Sequence, residues 1–170
     1  MTIIVCGLDA VGGLLRTRRP SHMISLLDPA SMIDTPPGLA AERHLRLGVN
    51  DIAEPAEGLV LADLAMVETL LDFGRAWDER SPLLVHCWAG ISRSTATAFV
   101  LACERNPSVS EREIAAAMRR LAPHAYPNRR IVALADDLLG RGGEMVRAVD
   151  AMGDYDYSAA GPFDFAVRYG

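Results

Sequence analysis

The stretch LLVHCWAGISRSTATAF, Leu83 to Phe99, decides the reading of the whole chain. Leu83 to Val85 is a short apolar run after Pro82, the pattern of a buried central strand. A helix is expected from near Ser92 to just before Asn106-Pro107, because proline disfavours helix in the residue before it. Between strand and helix, five residues (Trp88, Ala89, Gly90, Ile91 and Ser92) separate Cys87 from Arg93. Gly90 permits backbone angles that other residues resist. A loop that curls there can turn its N–H groups inward as an anion-binding nest. The N-terminal end of the helix adds its partial positive charge at the same point. Arg93 supplies a planar fork matched to two phosphate oxygens. The same positive surroundings favour the thiolate of Cys87, a nucleophile suited to phosphoryl transfer. His86 is placed to hold the loop backbone, and Ser94 to donate a hydrogen bond to the sulfur.

Each of these residues alone has a plainer reading. A cysteine after a strand is usually a small buried hydrophobe, and an arginine at a helix start is usually solvated. Their joint spacing between one strand and one helix is what points to chemistry.

Working outward, Thr2–Cys6 reads as a first strand, Leu8–Arg16 as a short helix and Met23–Leu27 as a second strand. The prolines of DPASMIDTPPG mark a loop. Arg43 to Val49 alternates and reads as a third strand. Val60, Leu64, Val67 and Leu71 recur at helical spacing, which predicts a long helix ending near Arg80. Ser110 to Glu113 has the capping-box pattern of a helix start. Pro127 suits the first turn of the next helix and Gly140 its end. A last helix is expected over Glu144–Met152. The order predicts an α/β three-layer sandwich: a short, mostly parallel central sheet flanked by helices.

With 170 residues, 50% of them hydrophobic, the chain is expected to form one domain over 1–153, with a tail, 154–170, docked on it. The formal net charge of -5 argues against a nucleic-acid partner. No apolar run has the length of a membrane span. The three cysteines lack metal-type spacing, and with no leader pattern at the N-terminus the expected location is cytoplasmic. Cys6 and Cys103 are read as core residues rather than disulfide partners of Cys87. His22, His44 and His124 show no metal-ligand spacing.

HCWAGISRS resembles the signature His-Cys-x-x-Gly-x-x-Arg-Ser/Thr of the cysteine-dependent protein tyrosine phosphatase superfamily, and GISRS is similar to its compact dual-specificity branch. The likeness extends more loosely from Met23 to Leu139. It implies attack by Cys87 on phosphorus, phosphate binding by Arg93 and the loop 88–93, and release of inorganic phosphate by water, with no metal and no cofactor. It also implies an aspartate as proton donor on the loop after a strand, a position that Asp51 in LGVNDIAEP occupies. Asp28, Asp34, Asp63 and Glu54 match it less well. The tryptophan-proline-aspartate loop of the larger tyrosine-specific enzymes is replaced by VND. PNRRIVALADDLL resembles the asparagine-bearing helix of compact phosphatases, which makes Asn128 an accessory candidate or a helix cap.

The substrate implied is a phosphorylated protein or a small aryl phosphate, with neither nucleic acid nor membrane as partner. No residue between Cys87 and Arg93 is basic, which disfavours phosphoinositides. Trp88 and Ile91 either flank an aryl ring or pack in the core. Two rival functions remain: a phosphate-recognition module without turnover, and a rhodanese-like sulfurtransferase or arsenate reductase. The tail, GDYDYSAAGPFDFAVRYG, is expected to dock on the domain or to visit the site.

Overall fold

The computed structural model describes residues 1–169. Five strands form one sheet in the order β3-β2-β4-β1-β5. β1 (Thr2–Gly7), β2 (His22–Leu27), β3 (His44–Gly48) and β4 (Leu83–Cys87) run parallel, while β5 (Phe163–Ala166) joins the β1 edge antiparallel. Alternation along each strand sends side chains to opposite faces. Ile3, Val5, Ile24, Leu26, Leu83, Val85 and Cys87 enter the larger core. Ile4, Cys6, Met23 and Leu84 enter a smaller core under α1 (Leu8–Arg18). The other helices cover the first face: α2 (Leu64–Ala76), α3 (Arg93–Arg105), α4 (Glu111–Leu121), α5 (Arg129–Leu138) and α6 (Glu144–Asp150). The result is the expected three-layer α/β arrangement.

α3 is buried without interruption from Arg93 to Cys103. A helix apolar or small on every side belongs inside a molecule, and α2, α4 and α5 surround it. That enclosure holds the start of α3 rigidly against the end of β4.

Several boundaries differ from the sequence expectation. α2 starts at Leu64, not Val60, because the Asp63 carboxylate accepts the Met66 N–H at 2.8 Å and caps the helix there. It ends at Ala76 rather than near Arg80. Arg105 takes the carbonyls of Gly74 and Trp77, and the Trp77 indole N–H turns back to Ser81 O at 2.9 Å. Pro127 lies outside α5, since Asn128 is its N-cap, with Oδ1 accepting Ile131 N–H. Ser110 precedes α4 but makes no side-chain capping bond. β4 runs two residues beyond Val85, so Cys87 is its last residue.

β5 was not foreseen. Phe163 and Phe165 alternate with Asp164, but four residues are too few for a period to declare itself. Phe165 is fully buried in the main core. Phe165→Ala should therefore lower unfolding free energy by about 3–5 kcal/mol, read from urea denaturation; a loss typical of a surface position would show that β5 only rests on the domain.

Candidate active site

The parallel strands all end on one side of the sheet, the usual place for a ligand crevice in α/β folds. Asp28 follows β2, Asp51 lies beyond β3, Cys87 closes β4 and Gly7 closes β1. Between them opens a cavity of about 910 Å³, whose lining includes Cys87, Arg93, Asp28, Asp51, Tyr126 and Tyr155.

The loop 88–92 is tied down by its carbonyls. Cys87 O faces His86 Nδ1 at 3.3 Å. Trp88 O accepts Leu8 N–H at 3.1 Å, Ile91 O accepts Tyr126 N–H at 2.8 Å, and Ser92 O accepts Asn128 N–H at 3.1 Å. In a planar trans peptide the C=O and the following N–H point in opposite directions. Fixing these four carbonyls outward therefore directs the N–H groups of Trp88, Ala89, Ser92 and Arg93 toward the other side, into the loop. Ser92, the N-cap of α3, makes no side-chain capping bond.

Gly90 has φ 74°, and a Cβ there would stand 2.6 Å from Gly7 N and 2.7 Å from Cys6 C. Only glycine lets the loop lie against the end of β1. Ala89 and Ile91 contribute to the cavity lining.

Cys87 is buried to 3% exposure yet reaches the cavity, and its Sγ is 3.2 Å from Ser94 Oγ. The Arg93 side chain is turned inward with 6% exposure. Its Nη1 donates to Asp28 Oδ1 at 2.8 Å and to Val49 O at 2.7 Å. Its Nε is buried without a partner. Leaving a buried donor of this kind unpaired costs about 1–3 kcal/mol or more; an oxyanion in the loop would satisfy it.

Asp51 sits on the rim with both of its hydrogen bonds on Oδ1: Ser92 Oγ at 2.7 Å and Asn128 Nδ2 at 2.8 Å. Asn128 thus performs two jobs, capping α5 and tethering the Asp51 loop, where Nδ2 also reaches Ile52 O at 3.3 Å. Trp88 is 61% exposed, which places it on the rim rather than in the core. Also lining the cavity, Tyr126 and Tyr155 stack with ring centroids 4.5 Å apart and planes 26° from parallel. Tyr155 comes from the chain after α6, held where Asp156 N–H meets Pro123 O at 2.9 Å.

Cys6 cannot reach Cys87. The two face opposite sides of the sheet, and all three cysteines are free and buried. Burial pushes the Cys6 thiol up to about 12 and raises that of Cys103 as well. Among the described residues no group of three or more His, Cys, Asp or Glu is placed to hold a metal ion, and no helix is long and apolar enough to cross a membrane.

Of the residues named from the sequence, Cys87 lies against Ser94, Asn128 and Ser92 hold Asp51, and His86 faces the Cys87 carbonyl, while Arg93 lines the same cavity as Cys87 and Asp51. Sequence reasoning set Asp28 aside as a rival proton donor, whereas Asp28 grips Arg93. It also missed Tyr126, Tyr155, Ser25 and His44. A nearly invariable rule, that a buried arginine needs a carboxylate, could have flagged an acid near Arg93 but not which one.

The sequence matches no protein-family model and no curated protein. Solved structures do resemble the fold. DUSP15 superposes with TM-score 0.59 at 19% identity, over 89% of this chain and 92% of that one. The Cydia pomonella PTP-2 phosphatase gives 0.58 at 22%, over 78% and 83%. The human tyrosine phosphatase-like serine/threonine/tyrosine-interacting protein gives 0.60 at 18%, over 81% and 87%. The fold is that of the cysteine-dependent protein tyrosine phosphatases, in their compact dual-specificity form.

His86 and His44 are both held neutral, each down at about 4. Burial is the main cause, aided at His86 by Arg93 and opposed there by the bond to Cys87 O; at His44 it is aided by His86 and Arg46. The unfolded chain takes up protons at these rings below about 6.5, and the native state does so only near 4. Native stability should therefore fall as pH drops through that window. The urea midpoint is expected to decline from pH 6.5 to pH 4, and less steeply in His44→Gln; a variant with the same slope as the parent would contradict this assignment.

Proposed function

We propose that the protein is a phosphomonoester hydrolase working through a phosphocysteine on Cys87. The observation that carries the reading is the unpartnered, buried Nε of Arg93 at a cavity floor shared with the Cys87 sulfur. The Cys87 thiolate attacks phosphorus, and the bond from phosphorus to the leaving oxygen breaks. Asp51 gives its proton to that oxygen, while the loop N–H groups and Arg93 hold the three remaining oxygens. Water then loses a proton to the Asp51 carboxylate and attacks phosphorus. The P–S bond breaks, and the Ser94 hydroxyl donates to the departing sulfur. The products are inorganic phosphate and the alcohol or phenol. The steps need no metal or cofactor.

The substrate class best supported is an aryl phosphate, free or as phosphotyrosine in a protein. The Tyr126–Tyr155 stack and the exposed Trp88 offer flat apolar faces above the loop. PTPMT1 has been solved in complex with PI(5)P at TM-score 0.57 and 16% identity, over 81% of this chain and 87% of that one. A lipid headgroup bearing several phosphates suits this chain poorly, because the loop carries no cation other than Arg93 and the sequence contains no lysine. A second reading, phosphate recognition without turnover, is supported by the fold shared with the human tyrosine phosphatase-like serine/threonine/tyrosine-interacting protein.

Hydrolysis of p-nitrophenyl phosphate by the full chain separates these readings, and arsenate reduction or sulfur transfer from thiosulfate without phosphate release would replace the phosphatase reading altogether. Cys87→Ser is expected to abolish turnover while still binding vanadate. Asp51→Ala should slow phosphates with poor leaving groups by about 10²–10⁴-fold and good ones less; equal losses would assign the proton to another group. Tyr155→Ala should raise KM for phenyl phosphate by about threefold to tenfold and leave glycerol phosphate unchanged. Parallel changes in both substrates would remove the aromatic wall from substrate recognition.

A further inference from the structure

On the face of the sheet that α1 covers, three polar side chains lie side by side across β3, β2 and β4. Ser25 and His86 are fully buried and His44 is 6% exposed. Ser25 and His86 are direct partners in the parallel register, and His44 is one strand further on. Ser25 Oγ is 2.6 Å from His86 Nε2 and 2.8 Å from His44 Nε2. His44 Nδ1 is 2.9 Å from Thr35 Oγ1, on the half-buried loop after β2. Buried polar groups in such number are costly unless all are satisfied.

The proton order of this chain follows from its last member. A neutral imidazole has one N–H and one bare nitrogen. Cys87 O can only accept, so the proton of His86 is on Nδ1. His86 Nε2 is then an acceptor and takes the Ser25 hydroxyl hydrogen. The Ser25 oxygen must in turn accept from His44 Nε2–H. His44 Nδ1 is left bare and accepts from Thr35 Oγ1–H. Every donor points the same way, from the surface to the carbonyl of the nucleophile. The charged groups acting on the two rings are Arg93 and Arg46, both positive. The neighbour of His86 on β1 is the neutral Cys6. No carboxylate acts on either ring to favour an imidazolium.

We propose that Thr35, His44 and Ser25 are positioning residues which impose one proton order on His86 and so lock the Cys87–Trp88 peptide in the orientation that sends Trp88 N–H into the anion-binding loop. The idea rests on the reading of that loop as an oxyanion site. Without the Ser25 hydroxyl, His86 can carry its proton on either nitrogen. In the Nε2–H form Cys87 O loses its donor, and the first peptide of the loop is free to turn.

The test is long-range proton–nitrogen NMR on the full, ¹⁵N-labelled chain at neutral pH, combined with vanadate titration. The wild type is expected to show His86 protonated at Nδ1 and His44 at Nε2. Ser25→Ala should give mixed tautomers at His86 and bind vanadate up to about tenfold more weakly, the worth of one hydrogen bond. Ser25→Thr, which keeps the hydroxyl, should restore both. Thr35→Val should mix the tautomers of His44. A residue that served only as core filling would alter the melting temperature and leave the tautomers as they were. The proposal falls if wild-type His86 carries its proton on Nε2, a result that needs no variant to fold, or if folded Ser25→Ala binds vanadate as tightly as the parent. Wild-type chain that bound no vanadate but showed the stated tautomers would sink the oxyanion-site reading and leave the proton order standing.

Discussion

A loop able to bind an anion through its backbone must face its N–H groups to one point, and peptides do not do so unaided. Here the constraint comes from behind. Four anchors, from His86, Leu8, Tyr126 and Asn128, take the carbonyls of residues 87, 88, 91 and 92. They come from β4 itself, from the start of α1 and from the segment before α5. Planarity of the peptide then leaves the amide hydrogens facing the cavity. The glycine at 90 lets this ring lie against β1, so that the strand order β2-β4-β1 decides where the ring sits.

Charge at the floor of the cavity is arranged around one guanidinium. Burial of Arg93 is tolerated because Asp28 and Val49 O share its Nη1, and these two acceptors come from the ends of neighbouring strands. They fix the plane of the fork while leaving Nε unsatisfied. Asp51 approaches from β3 and is steadied on one oxygen by Ser92 and Asn128, one residue before α3 and one before α5. The enclosure of α3 by other helices makes these tethers stiff, since neither end of the helix can shift without disturbing the main core.

The last residues of the chain serve both architecture and site. β5 closes the β1 edge, which would otherwise offer unpaired backbone groups. On the way there the chain passes the cavity and lays Tyr155 on Tyr126. The segment that leads to this strand thereby walls one part of the cavity.

Local pattern in the sequence settled the strand-loop-helix around Cys87 and the parallel α/β class, because spacing along a chain is conserved when short segments fold. Helix ends were misjudged at Val60 and Arg80, where the Asp63 cap and the contacts of Arg105 and Trp77 overrode periodicity. Partners that meet only once distant segments have packed could not be read: Asp28 on Arg93 and Ser25 between two histidines across the sheet, and Tyr155 on Tyr126 between two loops. The members of each are far apart along the chain, and for the first two, which side chains touch depends on strand order and register. Sequence by itself determined the loop between Cys87 and Arg93 and the elements on either side of it. Tertiary structure alone decided what grips its arginine, what orders the protons behind its histidine and what walls its mouth, because these contacts exist only once distant segments have packed.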